Sequence, residues 1–315
     1  MNSPSLWRFW TAAPLLVFAL CAAAAFLIGP PAAYPSGSLI TIPSGTTIAG
    51  AGGLLKEAGA LRSPLMFELA VRAGKGSIAA GTYALPERES ALSLAYRLSH
   101  GNTGLAQARV TIPEGTTVAQ AADILKVALR DFDTKGFIAL AKQDEGYLFP
   151  DTYFFLPGTP PETAVQTMRD NFDRHIAPLE TQIRAFGRSE ADAVIMASLL
   201  EKEARQSETR RIVAGILWKR LAIGMPLQTD AVFGYITGTP THSPSAAELA
   251  VDSPYNTYTY KGLPPGPIGN PGAEAIQDAV TPIKTPYLYY VTDKEGNIYY
   301  AKTYAEHLAN IQKAR

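Results

Sequence analysis

Residues 191–205 read ADAVIMASLLEKEAR, and the rest of the chain is organised around them. Ser189 opens the stretch as an N-cap, with Asp192 three residues on, a capping pattern just before an apolar run. From residue 193 to 200 nearly every side chain is apolar, which predicts a helix buried around most of its circumference. Glu201, Lys202 and Glu203 then follow without a break. Helical spacing puts Glu201 on the face of Val194, Ala197 and Ser198, small residues that suit a carboxyl at the floor of a cleft. Two readings stand on these residues alone. The three charges are a solvated last turn, since charged side chains are seldom buried unpaired. Or Glu201 is a general acid, its pKa lifted by desolvation from about 4.3 towards the ~6–7 useful at neutral pH.

The 315 residues suffice for one large or two modest domains. With 28 basic and 28 acidic residues the net charge is zero, so no bulk field favours nucleic acid. The single cysteine, Cys21, excludes an intrachain disulfide and a cysteine-rich metal site. His100, His175, His242 and His307 show no ligand spacing and no H-E-x-x-H. No phosphate-cradling loop, nucleophile elbow or Ser-x-x-Lys pair is present, and neither metal nor cofactor is expected.

Residues 11–28 carry no charge and span about 27 Å as a helix, close to a bilayer's hydrocarbon core. Trp7 and Trp10 stand at its start as interfacial anchors, beside Arg8. The next basic residue is Lys56, so the positive-inside bias predicts residues 1–10 in the cytoplasm and the chain after Gly29 outside. An uncleaved signal anchor in the inner membrane is the expectation, with a cleavable signal peptide as alternative because residues 22–25 are small. Residues 29–38 read as a short stiff linker.

An internal repeat follows. Residues 42–48, IPSGTTI, return as residues 112–118, IPEGTTV, an offset of 112 − 42 = 70. The same offset carries Leu55-Lys56 to Leu125-Lys126, Phe67 to Phe137, and Thr82-Tyr83 to Thr152-Tyr153. Each copy reads as a strand, a turn ending in a Thr N-cap, an amphipathic helix and a second helix, a duplicated α+β module. The first occupies residues 39–108 and the second residues 109–157 within a region running to 315.

Around residues 145–153, EGYLFPDTY, aromatics beside Asp151 suit either a sugar contact or a core. Residues 163–186 predict a long helix interrupted at Pro178. Residues 209–223 predict another, with Ile212, Ile216, Trp218 and Leu221 inward and Arg210, Lys219 and Arg220 outward. Gln228 and Asp230 alternate with apolar neighbours and can project together. Residues 253–272, SPYNTYTYKGLPPGPIGNPG, are too rich in Pro and Gly for a helix or central strand. Their Tyr255, Asn256, Tyr258 and Tyr260 suggest the ordered wall of a cleft, or an ordered loop without function. Residues 287–291 and 298–301 flank a hairpin turn, and Thr303 caps a closing helix.

The repeat's I-P-x-G-x-T pattern resembles the LysM module, which implies binding of N-acetylglucosamine-containing glycans; a packing repeat without ligand is the alternative. More specifically, ASLLEKE at 197–203, LQTD at 227–230, DSPYNTY at 252–258 and GLPPGPI at 262–268 with NPG at 270–272 resemble the YceG-like endolytic murein transglycosylases. The likeness covers residues 39–313, and one departure from many relatives is residues 231–234, AVFG. It implies an α+β chain: a membrane anchor, LysM-like modules, and a catalytic domain around a buried central helix.

It also implies cleavage of peptidoglycan strands between N-acetylmuramic acid and N-acetylglucosamine by one glutamate acting as acid and then base. Closure of a 1,6-anhydro ring then needs no water and no second carboxylate. The resemblance assigns that glutamate to Glu201, in preference to Glu203, which at i+2 faces another side of the helix among Met196, Leu199 and Leu200. Gln228, Asp230, Tyr255, Asn256, Tyr258 and Asp151 become candidates for holding the sugar. Peptidoglycan synthases become candidate partners. Two alternatives stay open: a hydrolase in which Asp230 activates water, and a non-catalytic wall-binding anchor.

Overall fold

The computed structural model describes residues 6–239 and 244–314, with side chains from residue 14 onward. The chain divides into two units, Met1–Ala106 and Gln107–Arg315.

In the first unit, α1 (Leu6–Ile28) precedes a β-α-α-β module. Its strands β1 (Ser38–Ile42) and β2 (Gly81–Leu85) pair antiparallel, Ile40 opposite Tyr83. Between them lie α2 (Ile48–Glu57), whose first turn Thr47 caps by accepting from Gly50 N–H at 3.1 Å, and α3 (Pro64–Ala73). The following α4 (Ala91–Ser99) closes a core that includes Ile42, Leu55, Phe67, Tyr83 and Leu94. The end of α1 is fastened to this module: Arg62 donates to the Phe26 carbonyl at 3.0 Å and lies 3.9 Å over its ring.

The expected transmembrane span at 11–28 falls partly outside the residues whose side chains are described. Residues 1–5 and the side chains of Trp7, Arg8 and Trp10 lie outside the description. Among the described residues no helix is long and apolar enough to cross a membrane.

The second unit begins with the second copy of the repeat. Strands β3 (Ala108–Thr111) and β4 (Thr152–Phe155) pair antiparallel with Val110 opposite Tyr153, 70 residues on from the Ile40–Tyr83 pair. Helices α5 (Val118–Ala128) and α6 (Thr134–Ala141) lie between them, α5 capped by Thr117 and Gln120 in a reciprocal capping box. This β-α-α-β order is what both copies share. Next, α7 (Pro161–Ile176) sends Ala164 and Met168 into the core of the second copy and Phe172 and Ile176 into the core beyond. A single 3-10 turn containing Pro178 separates it from α8 (Glu180–Phe186), where the ring removes an N–H from the helical ladder.

At the centre is α9 (Glu190–Glu203), with Ser189 accepting from Asp192 N–H at 3.0 Å and residues 196–200 all buried. Against it pack α10 (Ser207–Ala222), α11 (Ala231–Thr237) and α13 (Ala273–Val280), with the short α12 (Ala246–Leu249) in the connection. A hairpin of β5 (Tyr289–Thr292) and β6 (Ile298–Ala301) leads to α14 (Tyr304–Lys313), capped by Thr303 and Glu306. The helix α10 departs from its predicted faces. Arg210 and Arg220, expected outward, are 3% and 4% exposed. Each has its guanidinium partnered, Arg220 by the carbonyls of Leu288 at 2.7 Å and Leu227 at 2.5 Å.

The Pro/Gly-rich segment 253–272 is ordered without helix or strand. Asn270, wholly buried, fastens it to the second copy: its side chain donates to Thr116 O at 2.8 Å and accepts from Leu148 N–H at 2.9 Å. Gly269 runs so close to the Gly115 carbonyl that a Cβ would sit 2.6 Å from that oxygen, and its φ of +152° adds to the demand for glycine. On the other side, Ile268 N–H donates to Ser198 of α9 at 3.1 Å. The loop is thereby stretched between the repeat and the central helix.

Candidate active site

The last turn of α9 sends its two glutamates to different places. Glu201 is 9% exposed and turns towards α13 and the repeat turn at Gly115. It accepts from Gly272 N–H at 3.0 Å and lies 3.5 Å from Arg210. Arg210 in turn pairs with Asp278 at 2.7 Å and with Glu274, while Ser207 donates to Asp278 at 2.6 Å. Burial raises the Glu201 pKa; the Gly272 N–H and Arg210 oppose that rise, and Glu114 and Glu274 reinforce it. Glu201 is thus a member of a buried charge cluster that ties α9, α10 and α13 together.

Glu203 instead lines a cavity of about 760 Å³, within the range of binding clefts. Tyr290 donates to its carboxylate at 2.9 Å. Burial pushes the Glu203 carboxyl up to about 7, opposed by the Tyr290 hydroxyl and the Ala231 N–H at the start of α11, and reinforced by Asp230. Lys202, between the two glutamates, also lines the cavity.

Of the residues expected at the site, Gln228, Asp230 and Tyr258 line the same cavity as Glu203. Gln228 holds a φ of +50° and its N–H donates to Thr257 O at 3.1 Å, which fixes the bend that presents it. Tyr258 donates to Asp230 at 2.5 Å, and burial raises the pKa of both groups. Tyr255 stands one layer back, its ring 4.9 Å from that of the cavity residue Tyr235.

Asn256 and Asp151 lie outside the cavity lining. Asn256 is wholly buried; its amide donates to the carbonyls of Leu249 and Val251, and its oxygen accepts from Tyr258 N–H at 3.0 Å. The amide is thus engaged within the protein on both its nitrogen and its oxygen, and these bonds hold the loop that carries Tyr258. Asp151 accepts from Asn171 at 2.9 Å, near the base of β4, and lies outside the cavity lining. Residues that sequence reasoning did not single out complete the wall: Arg220, Tyr289, Tyr290, Tyr304 and His307. The density of tyrosine between 287 and 304 was the available signal. His242 lies outside the described residues.

The structure defines a mixed α+β protein in which a buried helix delivers a protonatable carboxyl to a tyrosine-lined cleft. The chain belongs to the YceG-like family, whose model matches residues 40–313. It is 31% identical to the endolytic murein transglycosylase of Bacillus subtilis (strain 168) over 296 residues, 85% of this chain and 82% of that protein. The endolytic murein transglycosylase of Streptococcus pneumoniae serotype 2 (strain D39 / NCTC 7466) is 30% identical, the match covering 86% of this chain and 57% of that longer protein. A YceG-like protein from Listeria monocytogenes, solved at 2.6 Å, superposes with a TM-score of 0.59 at 29% identity, over 87% of this chain and all of that one.

Proposed function

We propose that this protein is an endolytic peptidoglycan lytic transglycosylase with Glu203, rather than Glu201, as its acid and base. The observation that carries the reading is one carboxyl, held near pKa 7, on a cleft large enough for saccharide units. Protonated Glu203 donates to the glycosidic oxygen as the C1–O bond breaks and positive charge develops on the muramic acid ring. The carboxylate so formed takes the proton from that sugar's C6 hydroxyl, whose oxygen bonds to C1 and closes the 1,6-anhydro ring. Glu203 ends protonated, and no water is consumed. The Tyr290 hydroxyl and Ala231 N–H steady the carboxylate during the step, while Gln228 and the Tyr258–Asp230 pair offer donors and acceptors to sugar hydroxyls. Glu201 has its oxygens engaged by Gly272 and Arg210, which favours a structural role.

Incubating the protein with purified peptidoglycan and reading products by mass spectrometry tests the reaction. Anhydro-muramic ends, one water lighter than reducing ends, support it. Reducing ends would replace it with the hydrolase reading, for which Asp230 on the same cleft is the candidate base.

The pH dependence has a definite sign. The acid must enter the cycle protonated, so the rate falls as pH rises through about 7, the Glu203 value. A profile flat to pH 9 would remove Glu203 from the acid role.

The two β-α-α-β copies, by their LysM-like sequence, are proposed to help hold the glycan, and peptidoglycan synthases are proposed partners. We further propose that α1 anchors the chain in the inner membrane with the enzyme outside. Leu15, Leu16, Val17, Phe18 and Leu20 are each more than half exposed along it, which favours an apolar surrounding. Cell fractionation is expected to find the full chain with membranes and a chain starting at residue 30 in the soluble fraction. A full chain recovered as soluble would sink the anchor.

A further inference from the structure

Apart from Tyr290, the wall that β5 and α14 contribute to the cleft takes no part in the proton transfer, yet it is built as a surface for a ring. Tyr289 and His307 stack with centroids 5.2 Å apart and planes at 21°, and Tyr304 lies 6.0 Å from Tyr289. All three line the cavity, and Tyr304 is 60% exposed at the start of α14, where a core role would hide it. His307 carries the second observation. Its Nδ1 is buried and has no hydrogen-bond partner among the described residues.

Burial and the neighbouring Arg220 lower the His307 pKa, which keeps the ring neutral at pH 7. A buried N–H without an acceptor is the rarer and costlier orphan, so the lone pair falls on Nδ1 and the proton on Nε2. The ring then offers an N–H donor for which no acceptor stands among the described residues. Saccharide rings meet such a wall well, since their C–H faces lie against the negative faces of aromatic rings while their hydroxyl and acetamide oxygens accept hydrogen bonds at the edge.

We propose that Tyr289, Tyr304 and His307 form a saccharide subsite that stacks on one N-acetylhexosamine ring and donates from His307 Nε2 to an oxygen of that sugar. The substrate class rests on the function proposed above. The subsite adds affinity for the strand beyond the bond that is cut.

The test uses the full chain and two readouts: titration with the N-acetylglucosamine tetrasaccharide, and steady-state cleavage of peptidoglycan strands. Tyr304→Ala and His307→Phe, which keeps a ring but loses the donor, are each expected to weaken tetrasaccharide binding about tenfold, with the loss in KM rather than kcat. His307→Gln, which retains an N–H donor near the Nε2 position, recovers part of the binding lost in His307→Phe. Thermal unfolding of each variant reports whether it folds, and Tyr304→Ala carries the test if a His307 variant does not. Unchanged binding and KM in folded variants, with cleavage intact, overturn the subsite and leave the transglycosylase standing. Tetrasaccharide binding that the variants lose, in a wild type that yields no anhydro ends, supports the subsite and overturns the transglycosylase.

Discussion

Glu203→Gln lowers the rate of anhydro-end formation by about 10³, because the amide can neither donate the proton to the glycosidic oxygen nor take one from the C6 hydroxyl. Its fold survives, and above neutral pH it is stabilised. The sign follows from the raised pKa. A carboxyl at about 7 in the folded chain against 4.5 as its ordinary value binds its proton more tightly when folded. It therefore favours folding below about 4.5 and loses that contribution as pH rises through 7. At pH 8 the neutral amide removes a penalty of about 3 kcal/mol. Glu201→Gln gives the opposite pattern. Its amide oxygen still accepts from Gly272 N–H, so cleavage stays within about tenfold while the charge paired to Arg210 is lost. Measuring anhydro ends and urea midpoints at pH 8 for both variants decides the matter. Cleavage abolished in Glu201→Gln and retained in Glu203→Gln would return the acid role to Glu201.

Arg210→Met has the largest expected effect on stability, about 3–5 kcal/mol, or a fall in Tm of roughly 10 °C for a unit of this size. The guanidinium, 3% exposed, is the positive partner of Asp278, itself 2% exposed, and of Glu201. Removing it leaves the largely buried Asp278 and Glu201 carboxylates without their cation. A second change, Asp278→Leu, is expected to restore part of the loss, since replacing a buried pair by apolar side chains costs far less than breaking it. Differential scanning calorimetry of the single and double variants checks this. A single variant melting within two degrees of the native chain would mean that the cluster is solvated and contributes little.

These two predictions turn on what helical periodicity could and could not convey. The apolar run at 193–200 located the central helix, and Ser189 its start, because both are local signals. Spacing separates Glu201 from Glu203 by two positions but does not say which side meets a cleft. That depends on α13 and Gly272 arriving over one face and on Tyr290, 87 residues away, arriving over the other. Arg210 and Arg220 were read outward because charge ordinarily means solvent, and only distant partners make their burial tolerable. Asn256 was legible as ordered but not as a brace, since its partners are backbone carbonyls that no residue type announces.

From the sequence by itself come the α+β class, the 70-residue repeat with its Thr caps, the central helix, the proline-stiffened loop and the membership of the YceG-like family. All of these are carried by neighbours in the chain or by motifs long enough to exclude coincidence. Which carboxyl faces the cavity, which arginines are buried, and that the tyrosines of the closing hairpin share a cavity with α9 were decided by the tertiary structure alone. The physical reason is that burial and pKa belong to the packed surroundings of a group, and those surroundings are assembled from segments that the chain keeps far apart.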